Sequence, residues 1–151
     1  MPLHNITIET LTVDDLSWFV NVAAVKMLTD EVKREELINI SNIYKIVEQG
    51  MTTGTVLVAK SNGVCVGGIG GLLVPNLFNP TITTLVEIIW YVLPEYRRGR
   101  AGFMLLMAFD KLASEVADEV TLSVLDSSEV KIDSLEKRGF FLGELAFRKQ
   151  Y

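Results

Sequence analysis

Cysteine and histidine are almost missing from this sequence, and each occurs once, as Cys65 and His4. A single cysteine rules out an intramolecular disulfide, and the chain starts without a basic-then-apolar leader. Both point to a reducing, cytoplasmic setting. One histidine beside a terminus cannot build a multi-histidine metal site or a histidine-based triad, so no metal is expected. Long apolar runs are also missing: the stretches 85–93 and 103–109 are interrupted or far too short to cross a bilayer, and no membrane partner is expected. Positive charge is scarce, with 14 basic against 19 acidic residues and a net charge of −5. Nucleic acid is therefore not an expected partner, because its binding draws on basic residues that meet phosphates. An acidic surface suits cationic partners such as amines.

Enough apolar residues are present to bury a core. Hydrophobic residues make up 49% and charged residues 22% of the 151 positions, which suits one folded domain over 1–151 and excludes a disordered chain. Residues 6–11 alternate as a first strand. Asp14 is positioned to cap a helix whose apolar face runs Leu16, Phe19, Val20, Ala23, Ala24 and Met27. A second helix is expected over 34–49, ended by Gly50. Strands follow over 55–59 and 64–74, joined by a Ser61-Asn62-Gly63 turn. The second of these carries Gly67, Gly68, Gly70 and Gly71, which weaken a strand unless something packs against its backbone. A long strand over 83–93, a helix over 101–116, a strand over 120–125, a short helix over 128–137 and a last strand over 140–148 complete the chain. Three consecutive strands in the middle do not suit a doubly wound fold, which alternates strand and helix. Cys65, between Val64 and Val66, reads as a buried small hydrophobe.

Chemistry concentrates where the long strand ends. Pro94 stops the strand, since it lacks the ladder N–H. Tyr96-Arg97-Arg98-Gly99-Arg100-Ala101-Gly102 then leads straight into a helix. Such a junction leaves the first helical N–H groups unpaired and aimed outward, with the helix dipole adding partial positive charge. Glycine lets a ligand approach the backbone, and Arg97, Arg98 and Arg100 add formal charge with a geometry suited to phosphate. A solvated arginine turn would carry the same residues. A P-loop is excluded, because no Gly-Lys-Ser/Thr is present.

Val92-Leu93-Pro94-Glu95-Tyr96-Arg97, the basic glycine-bearing turn and the apolar helix behind it resemble the acetyl-coenzyme A signature of the GNAT N-acetyltransferase superfamily, Arg/Gln-x-x-Gly-x-Gly/Ala. Arg97 and Gly102 match, whereas Arg100 stands where the family usually has glycine. The opening strand with Asp14-Asp15, and Leu135-Glu136-Lys137-Arg138-Gly139-Phe140 near the end, resemble the family's first and closing elements. The resemblance implies an α/β (α+β) fold of one domain: a central mixed, mostly antiparallel twisted sheet of about six to seven strands flanked by about four helices. It implies acetyl-CoA as cosubstrate and direct attack of a primary amine on the thioester. It also implies pantetheine contacts along Tyr91, Val92 and Leu93, and a pyrophosphate site made by Arg97, Arg98, Gly99, Arg100, Ala101 and Gly102. Glu87, a carboxylate inside an apolar strand, is the candidate base. The family places its glutamate one residue earlier, which on a regular strand is the opposite face unless a bulge intervenes. The tyrosine that often protonates the leaving thiolate is Leu135 here, and the usual asparagine is Ser128. These departures leave open a catalytically silent GNAT-shaped binding or assembly protein, or a binder of another phosphorylated ligand. A homodimer fits the apolar late strands and the habit of the family.

Overall fold

The structure, a computed structural model, describes residues 5–125 and 130–151. His4, Ser127 and Ser128 lie outside the described residues. Five strands form one sheet in the order β1-β2-β3-β4-β5: β1 (Ile6–Thr10), β2 (Val56–Ser61), β3 (Val64–Pro75), β4 (Thr83–Val92) and β5 (Glu119–Thr121). The first four pair antiparallel and β5 joins β4 in parallel, so the sheet is mixed. Among the described residues four α-helices accompany it: α1 (Val13–Trp18), α2 (Ile40–Thr52), α3 (Ala101–Val116) and α4 (Ile132–Glu136).

Two cores lie on the two faces of the sheet. Phe19, Val20, Ile43 and Val47 pack on Val56, Val58 and Ile89 from one side. Leu105, Phe109 and Ala113 of α3 pack on Leu57, Ile69, Leu85 and Val92 from the other. Phe19, Ile69, Leu85, Leu105 and Phe109 are all fully buried, each stabilising the fold by about 1.5–3 kcal/mol. The glycines of β3 belong to this packing. A Cβ at Gly68 would collide with the Phe19 ring, and one at Gly71 with the Val86 carbonyl and the Phe109 ring. What packs against the glycine-rich strand is thus an aromatic ring on each face.

The Asn62-Gly63 turn forms with both residues at positive φ, 52° and 81°, as a two-residue hairpin needs. The helical segments differ from expectation at their ends. Thr12, in extended conformation, precedes α1 in place of Asp14, and Asp15 instead pairs with Lys60 at 2.8 Å. Beyond α1 the chain continues helically in wider π turns over Phe19–Ala24 and Met27–Glu31, and Lys33 at φ 57° turns it away. The second helix does not start near residue 34: a single 3-10 turn, Glu35–Leu37, comes first. The Asn39 side chain then accepts a hydrogen bond from the Asn42 N–H at 3.1 Å and starts α2, because Asn satisfies an end N–H better than it propagates a helix. Gly50 does not end α2. It is buried within the helix, where a Cβ would meet Val56 and the Gly71 carbonyl, and Gly54 at φ 69° turns the chain after the helix instead.

Among the described residues the sheet holds five strands where six to seven were expected. The segment 140–148 joins no ladder among the described residues, and Phe141, Leu142, Leu145 and Phe147 stay exposed. With only three residues, β5 offers a short edge, and Gly143-Glu144 interrupts the alternation that would have to pair with it.

Candidate active site

β4 and β5 run side by side only at Thr84, Leu85 and Val86, opposite Glu119, Val120 and Thr121. That end is pinned. The Thr83 N–H donates to Asp118 Oδ2 at 2.8 Å, and the Thr84 hydroxyl donates to Glu119 Oε1 at 2.7 Å. From Glu87 to Val92 no described strand lies beside β4 on this side, and the edge of the sheet opens there.

The backbone of this open stretch has a definite orientation. Leu93 N–H donates to Val66 O on β3 at 2.8 Å. Main-chain groups of successive strand residues alternate between edges, so Val92 turns its N–H and C=O to the open side. Tyr91, whose carbonyl lies against Gly67 of β3, turns the other way with Leu93. The Val92 carbonyl accepts a hydrogen bond from Arg97 Nε at 2.8 Å.

Glu87 sits at the closed end of this gap and is only 8% exposed. Burial pushes its carboxyl up to about 7; a hydrogen bond from the Ser123 backbone opposes this, and the nearby Glu31 charge adds to it. A carboxyl at that value is part ionised at neutral pH, which suits a group that takes up a proton. The register explains how Glu87 comes to be there. Gly70 pairs with Ile89 and Gly71 with Glu87, so Ile88 is an extra residue on β4. Ile88 and Ile89 both pack toward the core beneath α1 and α2, while Leu85 and Trp90 both pack toward α3. On a regular strand Leu85 and Trp90 would face opposite ways. The bulge therefore inverts the alternation, and Glu87 takes the face that a regular strand would give to the residue before it.

Past the strand end, Pro94–Tyr96 forms one 3-10 turn and α3 begins at Ala101. Among the described residues no side chain caps α3, and no acidic residue lies in its first turn, so its leading N–H groups and dipole are available to an anion. Arg98, Gly99 and Arg100 are exposed, and Ala101 is buried and anchors the helix start. Neither Gly99 nor Gly102 has a positive φ, and a Cβ there would meet nothing closer than 3.4 Å and 3.6 Å. The protein itself does not need glycine at these two positions, in contrast with β3. What glycine leaves there is room outside the backbone.

Arg97 behaves differently from its neighbours. Its guanidinium lies 5.1 Å from the Tyr91 ring centroid, and besides Val92 it holds Glu31 Oε1 at 3.0 Å. Glu31, at the end of the helical segment after α1, carried no signal that sequence reasoning could use. Tyr91 is buried, and its hydroxyl has no hydrogen-bond partner among the described residues. Trp90 is partly buried against the α3-side core. Leu135 is buried and aliphatic, so it brings no acid to the gap. Cys65 is buried, and burial followed by the Asp15 carboxylate pushes its thiol up to about 11, too high for a nucleophile at neutral pH. Among the described residues no group of His, Cys, Asp and Glu could hold a metal ion, and no helix is long and apolar enough to cross a membrane.

The splayed pair of parallel strands, the bulged strand beside the gap and the uncapped helix start fed by an arginine-rich turn make up the candidate site. The sequence profile of the acetyltransferase (GNAT) family matches residues 22–140. The chain belongs to the GNAT acetyltransferase family. No curated protein matches it in sequence. Among solved structures it is similar to a predicted acetyltransferase with acetyl-CoA from Clostridium acetobutylicum, at TM-score 0.75 and 14% identity over 96% of each chain. It is also similar to an aminoglycoside acetyltransferase from an uncultured soil metagenomic sample in complex with sisomicin, at TM-score 0.69 and 17% identity over 97% of this chain and 95% of that one. A third neighbour is Arabidopsis thaliana Naa50 in complex with the bisubstrate analogue CoA-Ac-MVNAL, at TM-score 0.67 and 20% identity over 92% and 85%. Identities this low speak for the shared fold.

Proposed function

We propose that this GNAT protein is an acetyl-CoA-dependent N-acetyltransferase that moves an acetyl group onto a primary amine by direct attack. One observation carries the reading: glycines that the fold does not require, at an uncapped helix start flanked by exposed Arg98 and Arg100, in line with the open edge of β4 that ends at Glu87. In this reading the turn from Arg97 to Gly102 borders the pyrophosphate, with amides and two arginines facing it. Of the stretch Tyr91, Val92 and Leu93 expected along the pantetheine arm, Val92 alone turns its main-chain groups to the open edge, since Tyr91 and Leu93 face β3, and the Val92 N–H polarises the thioester carbonyl. Glu87 takes the proton from the ammonium of the acceptor, directly or through water, so that the free amine can attack. The attacking nitrogen gives up its second proton to solvent as the carbon–sulfur bond breaks and the amide forms, and solvent returns a proton to the leaving thiolate, since Leu135 cannot. A neighbour named as an aminoglycoside acetyltransferase and another bound to a CoA–peptide analogue both suit an amine acceptor.

Calorimetric titration with acetyl-CoA, against dephospho-CoA and ATP, tests the reading. Binding with a Kd on the order of micromolar, about −8 kcal/mol, is expected. No heat and no thermal shift would overturn it and leave a GNAT-shaped protein that binds partners without catalysis.

A further inference from the structure

The arginine that opens the family signature does not face outward here. Arg98 and Arg100 are exposed beside the α3 N-terminus, whereas Arg97 folds back over Tyr91. Its Nε donates to the Val92 carbonyl at 2.8 Å, and a terminal nitrogen meets Glu31 at 3.0 Å. Each partner of this ion pair keeps less than a third of its side chain exposed, 28% and 30%. The three residues come from three segments: Glu31 from the helical stretch after α1, Val92 from the end of β4, and Arg97 from the turn before α3. The contact therefore ties the helix side of the gap to the strand edge and to the phosphate-facing turn.

We infer that Arg97 and Glu31 form a strut that positions the cofactor site, and that Arg97 is not itself a phosphate ligand. The strut fixes the Val92 carbonyl and, through the shared peptide geometry of the open edge, the direction of the Val92 N–H. It also sets the path of the turn from Pro94 to Arg100, and with it where α3 presents its first amides. The inference rests on the proposed acetyl-CoA reading.

The two roles for Arg97 give opposite expectations at Glu31. Coenzyme A is a polyanion. If Arg97 bound phosphate, neutralising Glu31 would remove a competing negative charge, and affinity would hold or improve. If the strut positions the site, Glu31→Gln loses the charge-assisted bond that holds Arg97 and weakens acetyl-CoA binding roughly three- to tenfold. Arg97→Lys is the second variant. A lysine keeps the positive charge for a phosphate but lacks Nε and the fork, so the strut requires a loss similar to that of Glu31→Gln, while a phosphate ligand would keep most of its affinity. The two changes act on one unit, so the double variant should be no worse than the worse single.

The experiment is calorimetric titration of wild type, Glu31→Gln, Arg97→Lys and the double variant with acetyl-CoA, with thermal melts to show that each is folded. Where an acceptor is in hand, the split between KM for acetyl-CoA and kcat is read as well. Failure of wild type to bind overturns the cofactor reading itself. Binding by wild type together with unchanged or tighter binding by Glu31→Gln overturns the strut alone, as does full rescue by Arg97→Lys. If Glu31→Gln does not fold, Arg97→Lys decides.

Discussion

Burial of Glu87 makes a prediction that needs no substrate. The carboxyl is 8% exposed, and its pKa rises from an ordinary 4.5 to about 7. At about 1.4 kcal/mol per pH unit, keeping this group ionised in the folded protein costs roughly 3 kcal/mol relative to the unfolded chain. The sign follows from proton counting. Between pH 4.5 and 7 the unfolded chain has released this proton and the folded chain still holds it. Stability therefore falls as pH rises through this window, and the full cost applies above it. Glutamine mimics the protonated form and never ionises. Glu87→Gln should match wild type near pH 4 and gain on it steadily, reaching about 3 kcal/mol at pH 8. Urea unfolding of both proteins at intervals from pH 4 to 8 measures the difference directly, because every other titrating group contributes equally to the two curves. A difference that stays flat with pH would show that Glu87 ionises as an exposed carboxyl does, and would remove both its burial and its fitness as a base. In an acetylation assay, the same titration should appear as wild-type turnover rising through about pH 7, while Glu87→Gln stays slow across the range and binds acetyl-CoA nearly as well.

The glycines separate in the same kind of test. At Gly102 a Cβ has room, 3.6 Å from Val92, so Gly102→Ala should fold at least as stably as wild type in urea, whereas Gly102→Glu should fold but lose acetyl-CoA heat through bulk and negative charge at the helix start; unchanged affinity would sink the pyrophosphate assignment. At Gly71 a Cβ would meet the Val86 carbonyl and the Phe109 ring, so Gly71→Ala should lower unfolding stability by roughly 1–3 kcal/mol, and a neutral result would mean that the β3–β4 bulge yields easily.

The hairpin at Asn62-Gly63, the glycine-rich strand against a close neighbour and the helix at Ala101–Val116 were legible because each rests on local chemistry: positive φ, a missing Cβ, or an apolar helical face behind a proline stop. The misread ends have local causes of another kind. Asn39 competes with the backbone and starts at Ile40 a helix that apolar periodicity alone would have begun at residue 34. Gly50 resembled a helix stop but is glycine because Val56 and Gly71 leave no space for a side chain. The expected strand over 140–148 has the apolar residues of a strand, but Gly143-Glu144 breaks their alternation, and the three residues of β5 supply little of a pairing edge. Glu31 was invisible for a stricter reason. Its importance lies in a contact across 66 positions with Arg97, and nothing in the residues around it differs from a solvated helix end.

The extra residue at Ile88 sets the face that Glu87 takes. The bulge shifts the alternation of β4 by one, so that Leu85 and Trp90, on either side of it, pack toward the same core. The bulge in turn requires something opposite it that can come close, and Gly71 provides it: its missing Cβ is what lets the Val86 carbonyl and the Phe109 ring approach. The glycine on β3 and the glutamate on β4 thus form one structural statement. A side chain at position 71 would press on the strand segment that aims Glu87, and so the stability loss expected for Gly71→Ala should come with a loss of turnover larger than any change in acetyl-CoA affinity.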